Sequence, residues 1–172
     1  MLKLTHTLII ASVTTLANMI TISQPSYGQD TSFYCNRKGG EYFTFMRTSD
    51  GKKYQVMKFA QSDFPPPYNN IKSRCDEVSS RFKRSYDNGT LRKIVVGRLN
   101  NQPVICAGKD INTICDRTNL LFTLKKGSSA KAIASRLFNI AAVNNGKIVT
   151  ANGADDIMID FDRYLENLPS EP

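Results

Sequence analysis

The stretch NNIKSRCDEVSSRFKRSYDNG, residues 69–89, decides how the rest of the chain is read. Its apolar residues fall at Ile71, Cys75, Val78, Phe82 and Tyr86, in steps of four, three, four and four. That spacing traces one stripe of a helix with 3.6 residues per turn. Asn69 or Asn70 offers a side-chain oxygen to cap its start, and Asn88-Gly89 supplies its stop. Cys75 lies on the apolar stripe, so the helix presents a sulfur to the strand it packs against.

Strand signals flank this helix on both sides. Upstream, Ser32–Cys35 and Glu41–Arg47 are rich in aromatic and β-favouring residues. Tyr54–Phe59 alternates with period two after the Ser49-Asp50-Gly51 break, which is a hairpin signal. Phe64-Pro65-Pro66-Pro67-Tyr68 has too few backbone donors for a ladder and reads as a loop. Downstream, Ile94–Gly97 and Pro103–Cys106 flank Asn100-Asn101, a second hairpin, and Leu120–Leu124 reads as a short buried strand. Ser128 or Ser129 caps a second helix with Ile133, Leu137, Ile140 and Ala141 on one face and Asn145-Gly146 at its end. Ile157-Met158-Ile159 fits a last strand or a helical turn equally well. Helices and strands that interleave with hairpin signals predict an α+β fold, a mainly antiparallel sheet of about five to six strands packed with two helices.

The first residues read as an address. Lys3 is followed by an uncharged run from Leu8 to Ile22, then Pro25, then the small-x-small pattern Ser26-x-Gly28. The run is shorter than the roughly 20 residues a membrane span needs, and polar Ser12, Thr14, Thr15, Asn18 and Thr21 dilute it. The expectation is a cleaved signal peptide over 1–28, a single domain over 29–168 and a frayed tail at 169–172, in a chain exported to the periplasm or beyond. Retention of 1–28 as an anchor is the alternative.

Cys35, Cys75, Cys106 and Cys115 are the four cysteines of the chain and all follow that segment. An even number in an exported chain predicts disulfides. Of three pairings, Cys35–Cys75 with Cys106–Cys115 is favoured, because the second loop is short enough to fold back on itself. On the chain-entropy account the two bridges contribute about 4 and about 3 kcal/mol. None of the spacings matches the close pairs of a structural zinc site.

The composition removes whole classes of chemistry. The 172 residues contain 23 Lys and Arg against 15 Asp and Glu, a net charge of +8, with no Trp and one His. That residue is His6, inside the expected leader, so the mature chain has no imidazole for a Ser-His-Asp or Cys-His mechanism. No catalytic residue, cofactor or metal site is predicted, and nothing in the sequence sets an oligomeric state. Nucleic acid is excluded by export and by the lack of any recognised binding signature.

Several of these residues resemble, in order, the cyanobacterial circadian-oscillating-polypeptide domain family. The likeness is carried by Phe33-x-Cys35, Arg74-Cys75-x-x-Val78-Ser79-x-x-Phe82, Asn88-Gly89-x-Leu91, Gly97-x-x-Asn100, Pro103-Val104-Ile105-Cys106, Cys115 and Leu120–Leu124. It spans roughly residues 31–140. One departure is Phe59, where the family pattern has Trp. The resemblance implies an extracytoplasmic protein, peripheral at a membrane, and implies no enzymatic activity.

Charge supplies the candidate binding residues. Lys72, Arg74, Arg81, Lys83, Arg84, Arg92, Lys93 and Arg98 face three acids, Asp76, Glu77 and Asp87, in the same stretch. This basic region is expected to dock on an anionic membrane surface or an acidic protein partner. The competing reading is a solvated set balanced by Asp155, Asp156, Asp160, Asp162, Glu166 and Glu171. Those acids lack the spacing of a calcium loop and read as a polar turn leading into a helical turn. Ser128-x-x-Lys131 fits an acylation motif whose companions are absent, so a small hydrolase stands only as the alternative. The aromatics between Phe33 and Phe59 leave a third reading, an inhibitor or scaffold whose sheet exposes Tyr34 or Tyr42 with Tyr54.

Overall fold

The computed structural model describes residues 30–59, 70–110, 112–138, 149–150 and 157–171. The expected leader, the proline loop, the Ile140–Gly146 end of the second helix, and Asp155 and Asp156 lie outside the described residues. The order is β1 (Ser32–Lys38), β2 (Glu41–Arg47), β3 (Lys53–Phe59), α1 (Ile71–Asp87), β4 (Lys93–Leu99), β5 (Gln102–Gly108), β6 (Leu120–Thr123), α2 (Ala130–Leu137), β7 (Val149–Thr150), β8 (Ile157–Asp160), α3 (Phe161–Glu166) and β9 (Ser170–Glu171).

The class is α+β and the pairings are antiparallel, but the strands divide into two sheets instead of one. The first runs β1-β2-β3-β9 and the second β6-β5-β4-β8-β7. β1–β3 form a hairpin ladder of their own, and β4 takes β8 as its second neighbour. Gly39 and Gly40 close β1–β2 with positive φ at both positions, as do Asn100 and Asn101 for β4–β5. Two-residue hairpin turns of that kind match the strand twist. Residues 170 and 171, expected to fray, pair with Tyr54 and Lys53 of β3.

The helix in residues 69–89 forms as its spacing predicts. Asn70 accepts a hydrogen bond from the Ser73 N–H at 3.1 Å, and the apolar stripe buries Cys75, Val78 and Phe82. One contiguous core then joins the two sheets and the three helices among the described residues. It contains Phe33, Met46 and Met57 from the first sheet, Ile94, Ile105 and Phe122 from the second, Leu137 from α2, and Phe161 and Tyr164 from α3. Phe82 is fully buried and stacks on Phe33 at 5.9 Å, so its truncation to Ala would cost about 3–5 kcal/mol. Two polar contacts inside the core are satisfied: Thr44 Oγ1 lies 2.9 Å from Ser79 Oγ, and the Tyr164 hydroxyl donates to the Val56 carbonyl at 2.7 Å.

Both favoured disulfides are present, and the described residues contain no free cysteine. Cys35–Cys75 ties β1 to α1. Cys106–Cys115 folds residues 112–119 back over the far face of the second sheet, where Val104, Cys106 and Cys115 form a small separate cluster. Ile157–Asp160 resolves as a strand, and α3 follows it with Asp160 as cap, accepting from the Arg163 N–H at 3.1 Å.

A groove between helix α1 and the edge strand β1

The eight bases named from the sequence do not form one cationic face. Three sit one helical turn from an acid on α1 and pair with it: Lys72 with Asp76, Arg81 with Glu77, and Lys83 with Asp87. Arg81 also donates to the Leu121 carbonyl on β6 at 3.1 Å. Arg92, just before β4, and Lys93 at its start meet Asp162 and Asp160, which the β4–β8 pairing and α3 bring beside them. Arg74 is 7% exposed, so it belongs to the interior and not to a docking surface. Its position on the helix, three residues after Ile71 and four before Val78, turns it inward beside the apolar stripe. Arg84 and Arg98 remain as exposed bases with no ion pair among the described residues.

The pairs set the local titration. Burial would raise the Asp160 carboxyl, but Lys93 and the Arg163 N–H outweigh it and hold the group below its ordinary value. Asp162 is pushed up by burial, against the pull of Arg92. Lys72 is raised by its bond to Asp76.

Arg84 stands at an open groove of about 510 Å³. One wall is a stripe of α1 at helical spacing, Ser80, Lys83, Arg84 and Asp87, continuing to Asn88, and Phe33 of β1 forms the floor. Behind Phe33 lie Phe82, Tyr86 at 5.4 Å and Phe161 at 6.4 Å, so the floor is part of the core and does not yield. The Cys35–Cys75 bridge, with Cα atoms 5.4 Å apart, fixes the two walls to each other. This volume falls within the usual range for small-ligand and side-chain pockets. The sequence signals missed Phe33 and Ser80 as partners of Arg84, because nothing in spacing shows which strand edge lies beside a helix. Spacing left the isolation of Arg84 open, since Asp87 stands three residues on; in the structure that carboxylate pairs with Lys83 instead.

The aromatic residues of the first sheet are split between its faces. Tyr42 and Tyr54 pack against the core with Phe59. Tyr34 faces the other side, stacked on Phe45 at 5.7 Å, and Phe43 flanks Phe45 at 5.9 Å. The Glu171 carboxylate on that side accepts from Lys38 and Gln55, and Phe45 is only 4% exposed. The expected sticky face is therefore not assembled: Tyr34 lies on the side opposite Tyr54, and Tyr42 shares the side of Tyr54 but packs with it against the core. Ser129, not Ser128, caps α2 by accepting from the Ala132 N–H at 3.3 Å, and the Lys131 side chain lies outside the described residues. No group of three or more His, Cys, Asp or Glu suited to a metal, and no helix long and apolar enough to cross a membrane, occurs among the described residues.

No curated protein and no solved structure matches the chain. Over residues 32–166, from the first strand to the last turn of α3, it matches the family described as Circadian oscillating protein COP23, and it belongs to that family.

Proposed function

We propose that this protein is a non-enzymatic, exported binding protein, peripheral at the outer face of a membrane, that holds an acidic protein partner at the groove beside Arg84 of α1. One observation carries the reading: Arg84 stands exposed without an ion pair at the rim of a groove floored by Phe33. The two disulfides are in keeping with an oxidising compartment.

Magnitude favours a protein partner over lipid. A base near an anionic bilayer contributes roughly 1 kcal/mol, so the two bases left unpaired between Lys72 and Arg98 give about 2 kcal/mol from this region, too little for that region alone to hold a protein at a surface. An acidic protein partner needs fewer cations, because shape and hydrogen bonds supply the rest.

The test is binding of the full chain to poly-L-glutamate, to poly-L-lysine and to vesicles with and without anionic lipid, between roughly 50 and 500 mM salt. Expected is salt-sensitive binding to poly-L-glutamate that falls when Arg84→Gln and Arg98→Gln are combined. Binding that is absent, or unchanged across that range of screening, overturns the reading.

A further inference from the structure

The groove runs beside an open sheet edge. β1 is the terminal strand of the first sheet, and among the described residues no backbone group meets its outer side. The two-residue turn at Gly39-Gly40 makes Lys38 and Glu41 the closing hydrogen-bonded pair. Hydrogen-bonded and open pairs then alternate along the ladder, so Phe33, Cys35 and Arg37 turn their N–H and C=O groups to the open edge. The Arg37 N–H does so visibly, donating at 2.8 Å to the Asn36 side chain instead of across the ladder. Along this edge α1 presents Ser80, Arg84 and Asp87, and Phe33 supplies an apolar floor.

We propose that the outer edge of β1 accepts an extended acidic segment of a partner polypeptide as an added strand. An apolar side chain of that segment rests on Phe33 and the next carboxylate on its α1 side meets Arg84. Main-chain hydrogen bonds to Phe33 and Cys35 supply affinity, and the groove supplies selectivity. The charge supports this occupant. Arg84 has no ion pair of its own, and Arg37 stands exposed further along the same strand, so nothing acidic in the described chain already serves them. The disulfide between β1 and α1 keeps the groove formed before the partner arrives, which removes an ordering cost.

This proposal rests on the acidic-partner reading, and the two fail separately. A display library of random eight-residue peptides is selected against the full, oxidised chain. Peptides that alternate apolar and acidic residues are expected to enrich. A selected peptide should slow amide hydrogen exchange at Phe33 and Cys35, and N-methylation of its alternate backbone amides should abolish binding. Arg84→Gln should weaken it by about tenfold or more, and selection against Arg84→Glu should return basic peptides instead. Strand addition is overturned if no acidic family enriches, or if a bound peptide leaves exchange at Phe33 and Cys35 unchanged. Salt-sensitive binding to poly-L-glutamate would survive that result, whereas loss of both ends the functional reading as well.

Discussion

Replacing Gly97 with Ala tests how tightly the loop pinned by Cys106–Cys115 lies on the second sheet. Gly97 has no need of positive φ, so the question is purely one of space. A methyl group built there meets Cys115 Sγ at 3.0 Å and Cys115 Cβ at 3.6 Å. The sulfur cannot retreat, because it is bonded to Cys106 on the neighbouring strand, and Val104 packs in the same cluster. Overpacking a closed site costs about 1–3 kcal/mol. Ala in place of a strand Gly returns roughly 0.5–1 kcal/mol of backbone entropy. The net expectation is a loss of about 0.5–2 kcal/mol, or a Tm lower by about 2–8 °C at this chain length. Urea and thermal unfolding followed by circular dichroism measure it. The deciding arm is the same substitution in a chain carrying Cys106→Ala and Cys115→Ala. Losing that bridge costs about 3 kcal/mol, so an ordinary domain still folds, and without the sulfur Gly97→Ala becomes neutral or stabilising. An equal loss in both backgrounds refutes the argument that the tethered sulfur is the obstacle.

Two further outcomes follow from buried and paired polar groups. Thr44→Val leaves the Ser79 hydroxyl buried without its partner and should cost about 1–3 kcal/mol in urea unfolding, whereas Thr44→Val with Ser79→Ala should be nearly neutral. Glu171 is held below the ordinary carboxylate value, first by its bond from Lys38, against the opposing effect of burial, and then by Gln55. A depressed value stabilises above the unfolded range, near pH 4.3, and is lost as pH falls through the folded value. The urea midpoint of Glu171→Gln should therefore lie below that of the native chain at pH 6 and converge with it as the pH falls below the ordinary carboxylate range. A constant separation across that interval would mean that the carboxylate does not hold the β9 end.

What the sequence made legible follows the range of the forces involved. Helix α1, its Asn70 cap, the Asn100-Asn101 hairpin and the strand character of Leu120–Thr123 rest on neighbours a few residues apart, and period and turn chemistry report those directly. The Cys106–Cys115 bridge belongs with them, since its loop is short. The division into two sheets was not legible, because it depends on β4 choosing β8 across some 60 residues. The tail failed for the same reason: Ser170 and Glu171 look like a frayed end until β3 offers them an edge. Helix α3 was signalled in the same local way, by the helical turn expected after the polar turn, and Asp160 caps it ahead of Phe161 and Tyr164.

The candidate site shows why a charge count is a poor guide to a surface. The eight bases between Lys72 and Arg98 look like a strong cationic stretch because sequence lists charges without their partners. Helical spacing already pairs three of them with acids on α1, and this much was readable. The pairs made by Arg92 and Lys93 need β8 and α3 alongside β4, and the burial of Arg74 needs the helix docked. After that, two unpaired bases are left from the eight. A flat anionic bilayer sums charge over a whole face, so neutralising most of the bases removes most of its attraction. An added strand responds differently. Its main-chain hydrogen bonds are indifferent to net charge, and a single cation beside the edge is enough to prefer an acidic sequence over a basic one. The same pairing that weakens the membrane account thus leaves the strand account intact, and it concentrates selectivity in Arg84.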